Sequence, residues 1–407
     1  GQRRGKVRLP TYPFQHQRFL VEPLDGTPQP GLVIVDGGGY TGIEMATLPE
    51  PNGAYEGAVD DAETEVQRAL KAIFRRVLGV TRLTLHDSFF DIGGDSLIAA
   101  QLMALVSKEF SIEAPARTIY EAPTVADLAA LVEARCVGQL KEIHGAQTNH
   151  ESARVSGRWL ACRERRPEAK YRLYCFPHSG GSAGEFVVWA DQLPEVEVLG
   201  VQLPGRGARL NETAFTRMGP LVDAIVAEVT FDGPFAFFGH SLGALVAYEV
   251  ARVLHAPGRR QPDRLFASAC PAPHLPRIDP PIHQLPDQEL AALINQEYAS
   301  LPAEITENPD LLRLSLPAHR SDFELVETYE YRAGEPLDRP LTVIGGTDDE
   351  LTESELAAWG RHTATRLDLQ LLPGGHFYLR EQRDRLLHLV RERLRLSPIY
   401  TGCQAGR

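Results

Sequence analysis

A serine between glycines, Gly239-His240-Ser241-Leu242-Gly243, follows the apolar run Phe235-Ala-Phe-Phe238 and precedes an apolar stretch from Ala244 to Leu254. The pattern alone is weak in a chain with 35 glycines, but its setting adds value. A strand before and a helix after place such a serine on a tight turn, where the flanking glycines let the two elements approach closely. The turn exposes the hydroxyl and leaves the backbone N–H of Leu242 at a helix N-terminus, where it can stabilise an oxyanion. A serine hydroxyl is a poor nucleophile until a base removes its proton, so the chemistry also needs a histidine and a carboxylate that orients it. Leu341-Thr-Val-Ile344-Gly-Gly-Thr-Asp348-Asp349 reads as a strand ending in a carboxylate loop, and Leu369-Gln-Leu-Leu372-Pro-Gly-Gly-His376 as a strand ending in a turn that presents a histidine. Taken singly, Asp348 is a loop cap and His376 an ordinary turn histidine. In the order Ser, Asp, His, each at a strand end, they make a centre for acyl transfer or hydrolysis.

A further piece, Phe176-Pro177-His178-Ser179-Gly180-Gly181, follows the first strong strand of the same region. Its small residues let backbone N–H groups approach a reacting carbonyl, which makes the amide of Ser179 the candidate second oxyanion donor and gives His178 a structural place in the loop. Separately, Phe89-Phe90-Asp91-Ile92-Gly93-Gly94-Asp95-Ser96-Leu97 reads from composition as a helix start, with Asp95 or Ser96 as N-cap.

Two kinds of element position these residues. From Asp60 to Val80, Val66, Leu70, Ile73, Phe74, Val77 and Leu78 recur at helical spacing; similar patterns run from Ser96 to Phe110 and from Thr124 to Ala134. They form a small all-α bundle. Further on, short apolar runs at Tyr171 to Phe176, Val196 to Val201, Phe235 to Phe238, Leu265 to Ala269, Leu341 to Ile344 and Leu367 to Leu372 alternate with helical patterns, as in a mostly parallel sheet with flanking helices. The fold class is therefore two domains, a small all-α helix bundle followed by an α/β-hydrolase domain. Between Pro271 and Pro340 the alternation stops: Glu289 to Tyr298, Asp310 to Leu314 and Asp322 to Tyr331 read as a helical lid insertion. The expected boundaries are 59–136 for the bundle and 158–400 for the hydrolase, with the lid at about 277–335 and linkers at 23–58 and 137–157. The Gly37 to Gly39 run belongs to the first linker and lacks the strand and helix of a dinucleotide site.

Composition excludes several classes. The formal charge of -12 in 407 residues gives no basic field for nucleic acid, and no apolar stretch is long enough for a membrane span. Cys136, Cys162, Cys175, Cys270 and Cys403 are widely spaced and odd in number, which argues against a disulfide framework or a structural zinc site. A cytoplasmic protein without a resident metal is expected.

The Phe89 to Leu97 run resembles the attachment motif of peptidyl and acyl carrier proteins, and the helix spacing and Ile119-Tyr-Glu-Ala-Pro-Thr-Val125 agree with that family across Asp60 to Arg135. The resemblance implies that Ser96 carries 4′-phosphopantetheine covalently, installed by a phosphopantetheinyl transferase, with an acyl thioester as cargo. Tyr171 to Arg395 resembles the thioesterases of polyketide and nonribosomal peptide assembly lines, most closely the type II class. Phe-Pro-His-Ser-Gly-Gly, Gly-His-Ser-Leu-Gly, Gly-Gly-His-Phe-Tyr-Leu379, Leu203-Pro-Gly-Arg-Gly207 and Leu316-Pro-Ala-His-Arg-Ser-Asp-Phe323 carry that likeness. Leu9-Pro-Thr-Tyr12-Pro-Phe-Gln-His-Gln-Arg-Phe19 looks like the segment after an acyltransferase domain, so residues 1–22 read as its remnant and upstream synthase domains as partners. In the family the catalytic Asp lies a few residues past a strand-end Gly; both Asp348 and Asp349 align, and Asp348, three residues after Gly345, is the chosen acid.

The implied function is release of a carrier-bound acyl chain through Ser241, by hydrolysis or cyclisation. Its rivals are an editing thioesterase that clears stalled acyl groups, a lipase-like esterase, and a non-catalytic carrier and docking module. An esterase would not need Ser96; a docking module would not need Ser241.

Overall fold

The computed structural model describes residues 63–136, 159–275, 281–298 and 309–396. The expected 1–22 remnant and the linkers at 23–58 and 137–157 lie outside the described residues.

The bundle begins with α1 (Glu65–Leu78), opened by a reciprocal capping box between Thr64 and Gln67 and closed by Gly79 at φ 62°. Its apolar positions Leu70, Phe74 and Leu78 repeat every four residues and are buried. Helix α2 (Ser96–Phe110) starts at Asp95, whose carboxylate accepts the N–H of Ile98 at 2.9 Å. A four-residue α3 (Thr118–Glu121), absent from the sequence reading, precedes α4 (Val125–Cys136). The long α1–α2 loop contributes to the core: Phe89 and Phe90 are buried with Leu102, Val106, Ile119 and Leu128, and Phe89 meets Phe74 edge-to-face at 5.9 Å.

The second region is a seven-stranded sheet: β1 (Leu160–Ala161), β2 (Tyr171–Phe176), β3 (Val196–Val201), β4 (Phe235–His240), β5 (Arg264–Ser268), β6 (Leu341–Gly346) and β7 (Leu367–Leu372), in the order β1-β3-β2-β4-β5-β6-β7. All neighbours are parallel except β1 on β3. Every residue of β3, β4 and β6 is buried, which is why they read as continuous apolar runs. Alternate residues of β4 serve opposite layers: Phe235 and Phe237 join the core that includes Leu245, Val246 and Val250, while Ala236 and Phe238 join Trp189, Leu386 and Val390. The chain runs from β2 outward to β3 and returns to place β4 on the other side of β2, so the strand order reverses between β2 and β4. In open parallel sheets, ligands bind at the carboxyl ends of the strands beside such a reversal.

The flanking helices are α5 (Gly184–Val187), α6 (Met218–Glu228), α7 (Leu242–Leu254), α8 (Asp287–Tyr298), α9 (Pro309–Glu327), α10 (Glu353–Ala357), α11 (Tyr378–Glu381) and α12 (Arg383–Arg393). The lid differs from its sequence reading. The two short helices expected at Asp310 to Leu314 and Asp322 to Tyr331 are one 19-residue helix, α9, that runs through Pro317. Proline removes one backbone donor, and nearby side chains bond the backbone here: the His319 ring N–H donates to Ser315 O at 3.0 Å and the Ser321 hydroxyl to Pro317 O at 3.0 Å. Among the described residues no helix is long and apolar enough to cross a membrane.

Close packing of α7 on the sheet depends on two glycines. A Cβ on Gly239 would stand 2.2 Å from Gly243 O, and one on Gly243 would stand 2.0 Å from Phe176 O. The opposing atoms are backbone, so nothing can swing aside. Gly239→Ala is therefore expected to lower the urea-unfolding free energy by more than about 2 kcal/mol. Gly360→Ala, where the added carbon finds only Leu367 at an ordinary 3.6 Å, should instead raise it by about 0.4–1 kcal/mol through the unfolded chain. Equal effects at the two positions would contradict the packing argument.

Candidate active site

Strand β4 ends at His240, and the next residue, Ser241, has φ 54° and ψ -121°. That backbone costs a non-glycine residue about 1–3 kcal/mol. It is held from both sides: Ser241 N–H donates to Ser268 O at 2.8 Å, and Ala244 N–H donates to Ser241 O at 2.9 Å. Leu242 is the first residue of α7, so its N–H belongs to the first turn, where no earlier helical carbonyl is available and the helix dipole is positive. Beneath the turn His240 is fully buried, its Nδ1 bonded to Ser268 Oγ at 2.8 Å, and Ser268 Oγ meets Tyr378 OH at 2.5 Å. Burial, with His376 and His178 nearby, pushes the His240 imidazole well below its ordinary pKa, so it is neutral.

The loops after β6 and β7 are pressed together. A Cβ on Gly346 would lie 2.3 Å from Gly374 O and 2.4 Å from Gly375 O, and Asp348 N–H donates to Gly374 O at 3.0 Å. This brings His376 to the serine turn, with its ring centroid 5.2 Å from that of His240. His376 Nδ1 lies 3.1 Å from Asp349 Oδ2 and 3.4 Å from Oδ1. A carboxylate can only accept, so Nδ1 carries the proton and Nε2 is left as the basic nitrogen.

The acid chosen from sequence, Asp348, is corrected here. Its backbone N–H is bound to the histidine loop, while its side chain is solvent-exposed and accepts from Thr347 Oγ1 at 3.1 Å. The chain turns as it leaves β6, with the Asp349 N–H reaching back to Gly346 O at 3.4 Å. If Asp348 uses its main chain toward Gly374, the carboxylate one residue later turns toward His376.

Ser179 lies in the loop after β2, and its carbonyl accepts from His178 Nδ1 at 2.9 Å. The other His178 nitrogen is 2.8 Å from Glu185 Oε2. Both ring nitrogens are engaged, which gives His178 a structural place. Burial would raise the Glu185 pKa, but His178 and Arg380 more than offset it and hold the carboxyl well below its usual range.

The residues that brace this loop carried no chemical assignment from sequence. Arg206 forms a two-armed pair with Asp322 of α9, at 2.5 and 2.7 Å, and both partners are buried. The same Asp322 carboxylate accepts the N–H of Gly180 at 2.7 Å, and Arg206 reaches Gly181 O at 3.3 Å. The His319 ring fills the place a Gly180 side chain would need, 2.0 Å from its would-be Cβ. The Leu203 to Gly207 and Leu316 to Phe323 runs are therefore one structure, a clamp between the lid helix and the oxyanion loop. Among the described residues no group of three or more His, Cys, Asp or Glu is placed to hold a metal ion.

Residues 171–394 match the family model described as a thioesterase domain, and residues 68–132 match the model of the phosphopantetheine attachment site. The chain belongs to the thioesterase family. The thioesterase PikA5 of Streptomyces venezuelae is 37% identical over 244 residues, 59% of this chain and 86% of PikA5. The antimetabolite synthetase AmbE of Pseudomonas aeruginosa is 31% identical over 370 residues, 88% of this chain but 16% of AmbE. Among solved structures, the type II thioesterase BorB from the borrelidin biosynthetic cluster superposes with a TM-score of 0.55 at 36% identity, covering 60% of this chain and all of BorB.

The chain is thus a phosphopantetheine carrier domain followed by a thioesterase of the kind found in polyketide and nonribosomal peptide pathways. In the carrier, Ser96 is the first residue of α2, preceded by a turn in which Gly93 has φ 114° and Gly94 N–H donates to Phe89 O at 2.8 Å. A phosphodiester borne at that position would sit at the positive end of a 15-residue helix. The site fits the group.

In the thioesterase, Asp349→Asn should lower kcat for a small acyl thioester by about 10³–10⁴-fold, since the amide cannot fix the imidazole tautomer. Asp348→Asn should stay within about threefold of the parent, as expected for a side chain outside the hydrogen-bonded pair. Steady-state hydrolysis of an acyl-N-acetylcysteamine thioester distinguishes the two, and the reverse ranking would return Asp348 to the role.

A stability prediction follows from the buried imidazoles. Burial pushes His319 and His362 down to about 4, the former against its bond to Ser315 and the nearby Asp322. Unfolded histidines titrate near 6.5, so between about 6.5 and 4 the unfolded chain binds more protons. Stability is then full above that window and falls as the pH is lowered through it. Thermal midpoints should be level near neutrality and decline below pH 6.5, before ordinary carboxylates titrate; a midpoint unchanged down to pH 5 would contradict this.

Proposed function

We propose that the thioesterase takes the acyl chain from the carrier's Ser96-borne arm onto Ser241 and releases it by hydrolysis as a free acid. The observation that carries this reading is the meeting of three strand ends: the strained Ser241 turn after β4, His376 after β7, and Asp349 after β6 within 3.1 Å of His376.

When bound, 4′-phosphopantetheine presents the acyl group as a thioester. His376 Nε2 removes the Ser241 proton as Oγ attacks the thioester carbonyl, and Asp349 holds the ring and balances its positive charge. The backbone N–H groups of Leu242 and Ser179 hold the oxyanion. His376 returns the proton to the departing sulfur, leaving an acyl ester on Ser241. It then activates water, whose attack repeats the same steps and frees the acid. A nucleophile on the acyl chain itself could replace water and close a ring, which is why the product must be identified directly.

A second reading, editing of stalled acyl groups, is favoured by the likeness to BorB, whose description is that of a type II thioesterase. Upstream synthase domains and a phosphopantetheinyl transferase are the partners in either case, in the cytoplasm.

The test is intact-protein mass spectrometry after a phosphopantetheinyl transferase has loaded a set of acyl-pantetheines onto the chain. The parent should shed the acyl mass at least about 10³-fold faster than Ser241→Ala, and Ser96→Ala should not load. Retention of every acyl type by both proteins would make the second domain a binding module. Fast loss confined to short, aberrant acyl groups would mark editing rather than release.

A further inference from the structure

The structure assigns Arg163 as the latch by which the thioesterase seats its own carrier, gripping main-chain atoms on one side of Ser96 while the lid supports the other. This rests on Ser96 being the attachment point. The Arg163 side chain is only 7% exposed, and all its partners in the carrier are backbone carbonyls: Nη1 donates to Leu78 O at 3.2 Å and to Ile92 O at 2.9 Å, and Nη2 to Gly79 O at 3.3 Å. Two of these carbonyls end α1, where the helix dipole is negative and a cation is favoured. The guanidinium is aimed by Asp191, which accepts from Nε at 3.0 Å.

Beside the latch the two backbones nearly touch. A Cβ on Gly184 would stand 3.1 Å from Gly94 O and 3.3 Å from Gly93 O, and one on Gly93 would stand 3.1 Å from Val188 Cγ1. Gly184 follows the oxyanion loop by three residues, and Gly94 precedes Ser96 by two. On the far side of Ser96, Ala100 of α2 packs with Ala116 against the lid cluster of Leu290, Ile294 and Leu316. The attachment position thus falls between a contact next to the oxyanion loop and a contact on the lid.

The hydrogen bonds of Arg163 read carrier shape rather than carrier side chains. The contact needs an α1 that ends in a left-handed glycine and a glycine pair before the attachment serine; beside it the pKa of the carrier's Asp91 is raised by burial, partly offset by the charge of Arg165. The partner class is therefore carrier domains with that backbone, the fused one first because the linker keeps its local concentration high.

The test uses the full-length chain in a Ser241→Ala background, so no turnover occurs. Amide hydrogen exchange is compared at 89–95 and 183–191 with and without Arg163→Ala. Exchange should accelerate at least about tenfold at both faces, with β4 and β6 unchanged. Unaltered protection at both faces overturns the proposal. Gly184→Val, whose branched side chain would occupy the space of the Gly93 and Gly94 carbonyls, must give the same pattern; protection that survives it overturns the proposal even if Arg163→Ala does not fold. In the catalytically intact chain, Arg163→Ala should slow single-turnover loss of a carrier-bound acyl group at least about tenfold more than hydrolysis of a small acyl thioester. Equal slowing overturns it. The exchange readout requires no catalysis, so a second domain that proved inactive would leave it decisive.

Discussion

At the nucleophile, β2, β4 and the first turn of α7 come so close that no side chain fits between them. Gly239 and Gly243 meet backbone atoms at 2.2 and 2.0 Å from where a Cβ would be. This crowding turns the chain sharply enough to hold Ser241 at a positive φ at the carboxyl end of β4, with Leu242 opening α7 directly after it. The cost of that backbone is met by the packing of the fully buried β4 between two mostly buried strands, which leaves the turn no relaxed alternative. Other parts of the site repeat the device: Gly346 lets the Asp349 and His376 loops touch, and Gly180 lets the His319 ring lie on the oxyanion loop. Catalytic geometry here is set by backbone contact, and side chains are then hung on it.

The second constraint couples the lid to that geometry. Burying the Arg206–Asp322 pair is costly by itself, and such a pair contributes little net stability when compared with an apolar replacement. Its value lies in what else it holds. The Asp322 carboxylate takes the Gly180 N–H and Arg206 takes the Gly181 carbonyl, so the loop that carries the Ser179 amide is fixed only while α9 is in place. Helix α9 of the insertion is thereby also part of the support for the loop after β2. Any motion of α9 large enough to part Asp322 from Arg206 would release the loop at the same time.

Most of this was legible in the sequence where period and chemistry agreed. The strands at Tyr171, Val196 and Leu367 begin and end where their apolar runs do, and the serine turn was readable because strand, glycines and helix occur in order. Legibility failed where tertiary contact overrides local preference. Two short helices were read where α9 runs unbroken through Pro317, although proline removes the N–H that would bond the carbonyl four residues earlier. Asp348 and Asp349 cannot be ranked by composition, since the choice depends on which main-chain N–H pairs with Gly374. The Arg206–Asp322 clamp joins residues 116 positions apart in the chain, a distance over which no periodicity reaches.

The same logic explains how a thioesterase that resembles free-standing proteins can work with a tethered carrier. Side-chain complementarity would tie the enzyme to one carrier surface and would have to be rebuilt for each partner. Main-chain carbonyls at a helix end are common to every domain of that shape, and a buried guanidinium with several donors satisfies them without reading sequence. Specificity then comes from proximity: carrier and thioesterase share one chain, which raises the local carrier concentration to roughly the millimolar range, so a weak, general contact suffices in cis. A contact of that kind must also be released each time the carrier returns to be reloaded. The modest footprint, with the Arg163 grip, glycines facing one another and a small apolar seat on the helical insertion, suits a dock that is visited once per acyl chain.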